Sequence, residues 1–387
     1  YSPSLSTTCT RCSRSRRQWL VAITVVAVFI IVCATVALAV YMVSTNVDDE
    51  RGKSIHHKVL RGVPLQGFKS VVVVLQILTQ FASVANVTYP GACQTFLSVL
   101  NIINLDLGFV LSAGCLWSGI DFHDRLLAAT VWPFAVLGLL AMTYLTALHT
   151  NGGNGGTRRE HIRNKHLSAV LLLLFLVYSS VSSNVFRMFA CDALDDGVEY
   201  LRADYRIVCT DTKHRTLQVY AAIMIAIYPV GIPLLFVALL YRHRSVLSES
   251  GPDKAAAQSI DSLWAPYRPS CFYYEVIECG RRIMLTGVVV FIYPNDTAQI
   301  AITIVLSFFF FVVSEVLSPY ESKSDKWLSR SGHILIFFTM FDVLLLRVDV
   351  SRESSESQNI LAGVFVAGHA AMIAAVVGEA IVLWRAS

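Results

Sequence analysis

The chain has 387 residues, of which 55% are hydrophobic and 15% are charged, and its formal net charge is +4. Soluble globular domains carry about 25% charged residues, so this chain has too few charges to cover a soluble surface. Its mean hydropathy of +0.58 and its apolar segments of about 20 residues predict a polytopic membrane protein. Lys and Arg stand in short groups between these segments, which is typical of cytoplasmic loops and not of a nucleic-acid interface.

The apolar segments predict an all-α bundle of about nine transmembrane helices, with the N-terminus outside and the C-terminus inside. The predicted spans are 19–43, 68–85, 126–149, 167–190, 217–241, 273–293, 297–317, 332–348 and 360–384. A further apolar stretch, Thr95 to Ile120, is interpreted as interfacial or re-entrant because it contains Asn101, Asn104 and Asp106.

The basic loops determine the predicted orientation. Loops 150–166, 242–272 and 318–331 are rich in Arg and Lys and are therefore expected in the cytoplasm. Alternation then places 86–125, 191–216, 294–296 and 349–359 outside. The glycosylation sequons at Asn86 and Asn295 both fall in outside loops. The basic residues ahead of the first span oppose this orientation: Arg11, Arg14, Arg16 and Arg17.

Cysteine positions fit the same topology. Cys93 and Cys115 share one outside loop, and Cys191 and Cys209 share another. Disulfides form in oxidising compartments, so these are the two predicted pairs, with four free thiols as the alternative.

The domain organisation is predicted from these spans. The chain begins at Tyr1, and we expect a longer N-terminal portion to precede it. Residues 1–18, which contain the Cys9-x-x-Cys12 motif, are interpreted as the extracellular juxtamembrane tail of a larger ectodomain. The first transmembrane helix is 19–43, and 44–67 is a cytoplasmic linker. Residues 68–387 form the transmembrane helical domain, with a disulfide-bearing extracellular segment at 86–125.

The sequence contains none of the common enzyme motifs, such as HExxH, a P-loop, GxSxG or a GxGxxG that follows a strand. We therefore predict that the chain is not an enzyme, and we predict no catalytic residue, cofactor or metal site. Ionisable residues inside spans become the candidate functional groups, because such residues are costly in a membrane.

The sixth predicted span carries four charged residues on its cytoplasmic half: Glu275, Glu278, Arg281 and Arg282. Their spacings of three and four residues allow ion pairs along one helix. Two interpretations remain open: an ion-pair ladder that holds helices together, or the lining of a cytoplasmic vestibule.

Each of the last three predicted spans contains one acid, namely Glu315, Asp342 or Glu379. Three acids on consecutive helices are candidates for a cation path. The alternative is local pairing, or contact with the membrane interface for Glu315 and Glu379. Asp342 is the deepest of the three, and its candidate partners for local pairing are Arg347 and Arg187.

The fifth predicted span contains Pro229, Gly231 and Pro233 within "YPVGIPLLF". Proline has no N–H, so the carbonyls of Ile225 and Pro229 lose their usual helical partners. This predicts a helix break, which is either a rigid kink that serves packing or a hinge and carbonyl-lined section of a pathway.

Four stretches carry a resemblance to a known family: "DYRIVC" (204–209), "YPVGIPLLF" (228–236), "YEVIECGRRIMLTG" (274–287) and "PY" followed by "DKW" (319–327). Together they resemble a multi-span membrane family of algae, oomycetes and related protists. That family is described as transient-receptor-potential-like or G-protein-coupled-receptor-related. Its members often carry extracellular cysteine-rich, ephrin-receptor-like repeats. The chain lacks DRY and NPxxY motifs, which argues against a rhodopsin-like receptor.

The resemblance and the polar residues inside the spans predict a transient-receptor-potential-like or mechanosensory cation channel. The alternative is a non-conducting receptor or membrane anchor for a large extracellular module, either cysteine-rich or filamentous. A transporter is less favoured because the broken fifth span has no counterpart in another half of the chain. The expected partners are membrane lipids, cations, the extracellular module and other copies of the chain. The expected location is the plasma membrane or another membrane of the secretory pathway.

Overall fold

A computed structural model describes residues 65–84, 93, 96, 97, 100, 121–151, 156–248, 257, 259–293, 296–348, 363–375 and 378. Several predictions lie outside these residues. They concern the first span, the Cys9-x-x-Cys12 motif, both sequons and Glu379. The predicted Cys93–Cys115 pair is also among them, because Cys115 is not one of the described residues.

The described elements are almost all helical. The helices are α1 (Leu65–Val84), α2 (Phe122–Asn151), α3 (Gly156–Arg187), α4 (Thr212–Ile225), α5 (Ile232–Arg242), α6 (Arg244–Ser248), α7 (Asp261–Trp264), α8 (Tyr274–Thr286), α9 (Thr297–Leu317), α10 (Lys323–Arg347) and α11 (Gly363–Ala375). A π turn, Ala226–Gly231, joins α4 to α5, and 3₁₀ turns occur at Pro269–Cys271 and Val288–Phe291. The two strands, β1 (Cys191–Ala193) and β2 (Glu199–Leu201), form an antiparallel hairpin.

Five helical stretches in the described part of the chain are long and apolar enough to cross a membrane. They are Phe122–His149, Ile162–Arg187, Thr212–Arg242, Thr297–Leu317 and Lys323–Arg347. Two shorter apolar helices, Lys69–Ala82 and Gly363–Ala375, lie within the predicted second and ninth spans. These lengths and compositions support a mostly helical membrane protein.

The sixth span differs from its predicted bounds of 273–293. Helix α8 ends at Thr286, and the 3₁₀ turn Val288–Phe291 follows. Its 13 residues extend roughly 20 Å, less than the hydrocarbon thickness of roughly 30 Å. The chain passes close to α3 here, since a Cβ on Gly287 would lie only 2.6 Å from the Phe186 ring.

The helix that contains the eighth predicted span begins before residue 332, where that span was predicted to start. Helix α10 begins at Lys323, because the Ser322 side chain caps it by accepting a hydrogen bond from the Ser324 N–H at 3.2 Å. A capped first turn is stable although it is charged, so the helix extends beyond the predicted span 332–348.

Helix α1 lies at the centre of one half of the bundle. Its residues from 71 to 82 are all buried, which is the pattern of a helix enclosed by neighbours on every side. It packs against α3, α8 and α10, and its side chains share a core with residues such as Leu285, Ile336 and Phe365.

Helix α3 joins this half to the half built from α2, α4 and α5. Five small polar residues near its end are buried: Ser179, Ser180, Ser182, Ser183 and Asn184. Small side chains let neighbouring helix backbones approach closely. Ser183 donates to the Thr286 carbonyl at 3.2 Å, which fixes α8 against α3.

Loops predicted on the same side of the membrane meet in the structure. Residue Arg268 of loop 242–272 donates its N–H to Pro319 of loop 318–331 at 2.8 Å. Near the other end, the N–H of Phe122 donates to Asp204 at 3.2 Å, and both belong to segments predicted outside. These contacts agree with the prediction of which loops share one side of the membrane. They do not indicate which of the two sides faces the cytoplasm.

Candidate functional site

Five charged side chains are buried together where α1 and α8 meet. We call them the charge cluster: Lys69, Glu275, Glu278, Arg281 and Arg282, with exposed fractions of 1–5%. The α8 members recur at three- and four-residue intervals, so the 3.6-residue period places them along one side of the helix. Lys69 comes from the first turns of α1.

Glu275 is the most connected member of the charge cluster. Its Oε2 lies 3.2 Å from Lys69 Nζ and accepts a hydrogen bond from the Tyr267 hydroxyl at 2.9 Å. Its Oε1 lies 3.6 Å from Arg282 Nη2. Lys69 Nζ also donates to the Ser262 carbonyl at 2.7 Å, so one carboxylate ties α1, α8 and the 242–272 loop together.

Glu278 and Arg281 form a second pair one turn along α8. Arg281 donates to Glu278 Oε2 through Nε at 3.0 Å and through Nη2 at 2.6 Å. Both side chains are less than 8% exposed, so bulk water screens this pair little.

Phe175 of α3 lies between two of the cations. Lys69 Nζ is 4.4 Å from the ring centroid and the Arg282 guanidinium is 4.0 Å from it. Arg282 Nη1 also donates to the Phe175 carbonyl at 3.2 Å. A ring between desolvated cations contributes cation–π attraction to both, so α3 takes part in the charge cluster through an apolar residue.

A cavity of about 30 Å³ lies within the charge cluster and extends to His333 of α10. Within the described part of the chain, four buried atoms that line it lack hydrogen-bond partners: Glu275 Oε1, Glu278 Oε1, Arg282 Nε and His333 Nε2. The His333 Nδ1 faces the Ser329 carbonyl at 2.8 Å, so Nδ1 carries the proton and Nε2 is an acceptor. One or two water molecules fit this volume and can donate to the acceptors.

Three tyrosines close the end of the charge cluster that faces the loops. Tyr267 and Tyr320 form an isolated β-bridge, and their ring centroids are 5.3 Å apart. The ring centroids of Tyr267 and Tyr274 are also 5.3 Å apart. Burial, and then the negative charge of Glu275, raises the pKa of Tyr267. Tyr267 therefore stays protonated and donates to Glu275.

Of the acids in the later predicted spans, the two that the structure describes, Glu315 and Asp342, do not join the charge cluster. Glu315 pairs with Arg330 across α9 and α10, and both side chains are partly exposed. Asp342 is half-buried on α10 and makes no ion pair within the described residues. The predicted pairing of Asp342 with Arg347 or Arg187 is not seen in this part of the chain. Glu379 lies outside the described residues, so a path through all three acids stays a prediction.

The break in the fifth span takes the form of a π turn. Tyr228 and Pro229 are buried in it, and the Tyr228 hydroxyl donates to the Thr130 carbonyl of α2 at 2.8 Å. A Cβ on Gly231 would lie 3.0 Å from the Ala226 carbonyl oxygen, which explains a glycine in this turn. Pro233 lies half-buried in the first turn of α5. These contacts favour packing over a water-facing path for this turn.

A compact lobe covers the other end of the bundle, and we call residues 188–211 the disulfide lobe. A disulfide joins Cys191 to Cys209, and β1 pairs with β2. Arg202 donates to Asp192 through Nε at 3.0 Å and Nη2 at 2.6 Å. Gly197 lies in the turn of this hairpin. Its φ of 74° is in the left-handed region, which glycine adopts more easily than other residues.

The disulfide lobe is fixed to two membrane helices. Arg206 donates to Asp204 at 2.8 and 2.6 Å, and Asp204 in turn accepts the Phe122 N–H at the start of α2. His123 Nε2 and His214 Nδ1, from the first turns of α2 and α4, lie 3.1 Å apart and are both buried. The sulfur atoms of the disulfide lie within 4.8 Å of a ring nitrogen of His214. Because these sulfur atoms are bonded to each other, they do not act as thiolate ligands for a metal.

Sequence reasoning found the four α8 residues but missed their partners. Lys69 lies in the predicted second span, where a charged residue is itself a signal of function. Tyr267, Tyr320 and His333 carry no comparable signal, because the contacts that bring them to the charge cluster depend on tertiary packing. The buried His123–His214 pair was missed for the same reason.

Comparisons with known proteins give one partial similarity. No protein-family model matches the chain, and no solved structure matches it. The chain is 23% identical over 208 residues to cysteine repeat modular protein A of Toxoplasma gondii. That match covers 50% of this chain and only 6% of the much longer relative.

Proposed function

We propose that this chain is the membrane-embedded anchor of a surface protein that carries an extracellular cysteine-rich module. The observation that carries the proposal is the internally paired charge cluster. Its acids are held by neighbouring cations, its cavity admits only about 30 Å³, and it joins α1, α3, α8 and two loops. Such a cluster favours one fixed helix arrangement over an open vestibule.

The disulfide lobe supports the same proposal at the other end. Its disulfide and its bonds to α2 give a rigid platform at the ends of membrane helices. The similarity to a protein named for cysteine repeats is consistent with an extracellular module joined to such a membrane domain. Plasma-membrane location and outward orientation of the lobe belong to this proposal.

A cation channel of the transient-receptor-potential-like type is the second candidate. It is favoured by Asp342, an acid in an apolar helix that makes no ion pair within the described residues. In this alternative the path lies beside α10 and not through the charge cluster, and assembly of several copies is needed to enclose it.

One experiment on cells that make the full-length protein separates the two. We expect Glu275→Gln to reduce the extracellular module labelled on intact cells, because the membrane domain loses its fixed packing. Arg330→Gln, which alters an exposed pair, is the matched control and should keep normal surface labelling. Whole-cell cation conductance should be the same with and without the protein.

Purified chain in lipid vesicles provides the second arm. We expect no cation flux above that of protein-free vesicles. A flux that appears with the chain and falls in Asp342→Asn would overturn the anchor in favour of the channel.

A further inference from the structure

A groove lies between the end of α2 and the beginning of α3. It is lined by Tyr144, Leu148, Arg159, Glu160 and Arg163, and its volume of about 960 Å³ includes open solvent. The part open to water-sized groups is about 590 Å³. Small-molecule sites occupy about 300–1,000 Å³, so the groove has room for a ligand larger than water.

The groove lies at the level of lipid headgroups. The rise of about 1.5 Å per residue sets Arg163 and Arg187 roughly 36 Å apart along α3. This exceeds the hydrocarbon thickness of roughly 30 Å, so arginines near the two ends of α3 reach opposite headgroup regions. Tyr144 is on the same side as Arg163, at the depth where interfacial tyrosines concentrate.

The two walls of the groove differ in chemistry. Tyr144 and Leu148 are one turn apart on α2, and the Tyr144 ring packs against buried His166 at 5.3 Å. His166 is held by the Ile162 carbonyl at 2.9 Å, which keeps this wall in place. It offers apolar surface to a glycerol backbone and acyl chain.

The opposite wall is cationic. Arg159 and Arg163 are four residues apart on α3 and project from the same side of the helix. Arg163 Nη2 donates to Glu160 Oε1 at 3.3 Å, and both side chains are more than half exposed. This exposed pair is weak enough for a stronger anion to displace.

We propose that this groove binds the headgroup of a membrane lipid that carries phosphomonoester groups, such as a phosphorylated phosphatidylinositol. The guanidinium groups of Arg159 and Arg163 bind the phosphate oxygens in the forked geometry that Arg offers to phosphate. Tyr144 and Leu148 contact the glycerol and the upper acyl chains.

Glu160 gives the groove its selectivity. A phosphomonoester carries about −1.5 to −2 charges at neutral pH and replaces the carboxylate beside Arg163. A headgroup that bears only a singly charged phosphodiester gains little over the existing Arg163–Glu160 pair. The groove therefore selects doubly charged phosphate.

The test uses purified full-length chain in detergent micelles and native mass spectrometry. The probes are a short-chain phosphatidylinositol bisphosphate, short-chain phosphatidylserine and soluble inositol trisphosphate. The first should bind most tightly. Arg159→Gln and Arg163→Gln should each weaken it roughly tenfold or more, as loss of a charge-assisted bond does. Glu160→Gln should strengthen it about two- to fivefold, because a competing carboxylate is removed.

Arg244→Gln is the matched control. Arg244 is exposed in a loop predicted on the same side and stacks on Tyr241 at 4.0 Å, but it does not line the groove. Its variant should bind the bisphosphate lipid as the unmodified chain does. Equal loss in Arg244→Gln, equal binding of phosphatidylserine, or equal binding of inositol trisphosphate would each refute the proposed lipid site. A thermal midpoint shared by all variants establishes that they are folded.

Discussion

The charge cluster contains three cations and two carboxylates, an excess of one positive charge inside the bundle. Glu275→Gln preserves the shape of the side chain but raises that excess to two. Removing one partner of a buried ion pair costs about 3–5 kcal/mol, because the remaining charge stays buried. We expect a loss of this size in the free energy of unfolding.

Lys69→Met is the informative comparison. It removes the hydrogen bonds to Glu275 and the Ser262 carbonyl, but it leaves two cations against two carboxylates. Glu275 keeps Tyr267 and Arg282 as neighbours. The expected cost is about 1–3 kcal/mol, the penalty of lost hydrogen bonds without a new charge excess.

The assay is thermal unfolding of the purified chain in detergent micelles, with the midpoints ranked. Glu275→Gln should unfold first, then Lys69→Met. The double variant restores the original excess of one charge and should be more stable than Glu275→Gln alone, a coupling that a double-mutant cycle measures. Additive losses in the double variant, or a midpoint of Glu275→Gln close to that of the unmodified chain, would refute the charge-balance argument.

Three further predictions concern the π turn and the disulfide lobe. Gly231→Ala should lower the thermal midpoint because its Cβ meets a carbonyl oxygen at 3.0 Å, whereas Gly138→Ala, with open space around it, should not. Cys191→Ser should destabilise the disulfide lobe by about 2–4 kcal/mol, seen as faster amide exchange in 188–211, and unchanged exchange would contradict this. Burial tends to raise the pKa of Asp204, but the hydrogen bonds and charge of Arg206 hold it below its ordinary value. The stability that Asp204 contributes is therefore present above the unfolded pKa of about 3.9 and is lost as the pH falls through the lower folded pKa. Asp204→Asn should remove this acid dependence of exchange in the lobe, and an identical pH profile would count against it.

Several features of the fold could be predicted from sequence because their signals are local. Long apolar segments predicted a helical membrane protein, and the described residues include five helices long and apolar enough to cross a membrane. Cys191 and Cys209 share one loop predicted outside, and this predicted the disulfide that the structure contains. Hydropathy did not predict the end of α8 at Thr286, because the apolar segment continues through the 3₁₀ turn Val288–Phe291.

Only the part of the candidate site that lies within α8 could be predicted from the sequence. The interval between Glu278 and Arg281 indicated an intrahelical pair, and these residues are hydrogen-bonded. The partners of Glu275 come from α1 and from the loop at Tyr267, about 200 and 8 residues away along the chain. Helical periodicity encodes neither contact, since both depend on tertiary packing.

The π turn at Ala226–Gly231 also determines the rotational phase of one membrane helix. Tyr228 in the turn and Ile232, Phe236 and Leu240 after it are buried at four-residue intervals, while the exposed residues between them face outward. Deleting a single residue from the turn would turn the buried side of α5 by about 100°, since an α-helix advances by that angle per residue. The length of this turn thus lets the upstream helix α4 pack against α3 while the downstream helix α5 packs against α8.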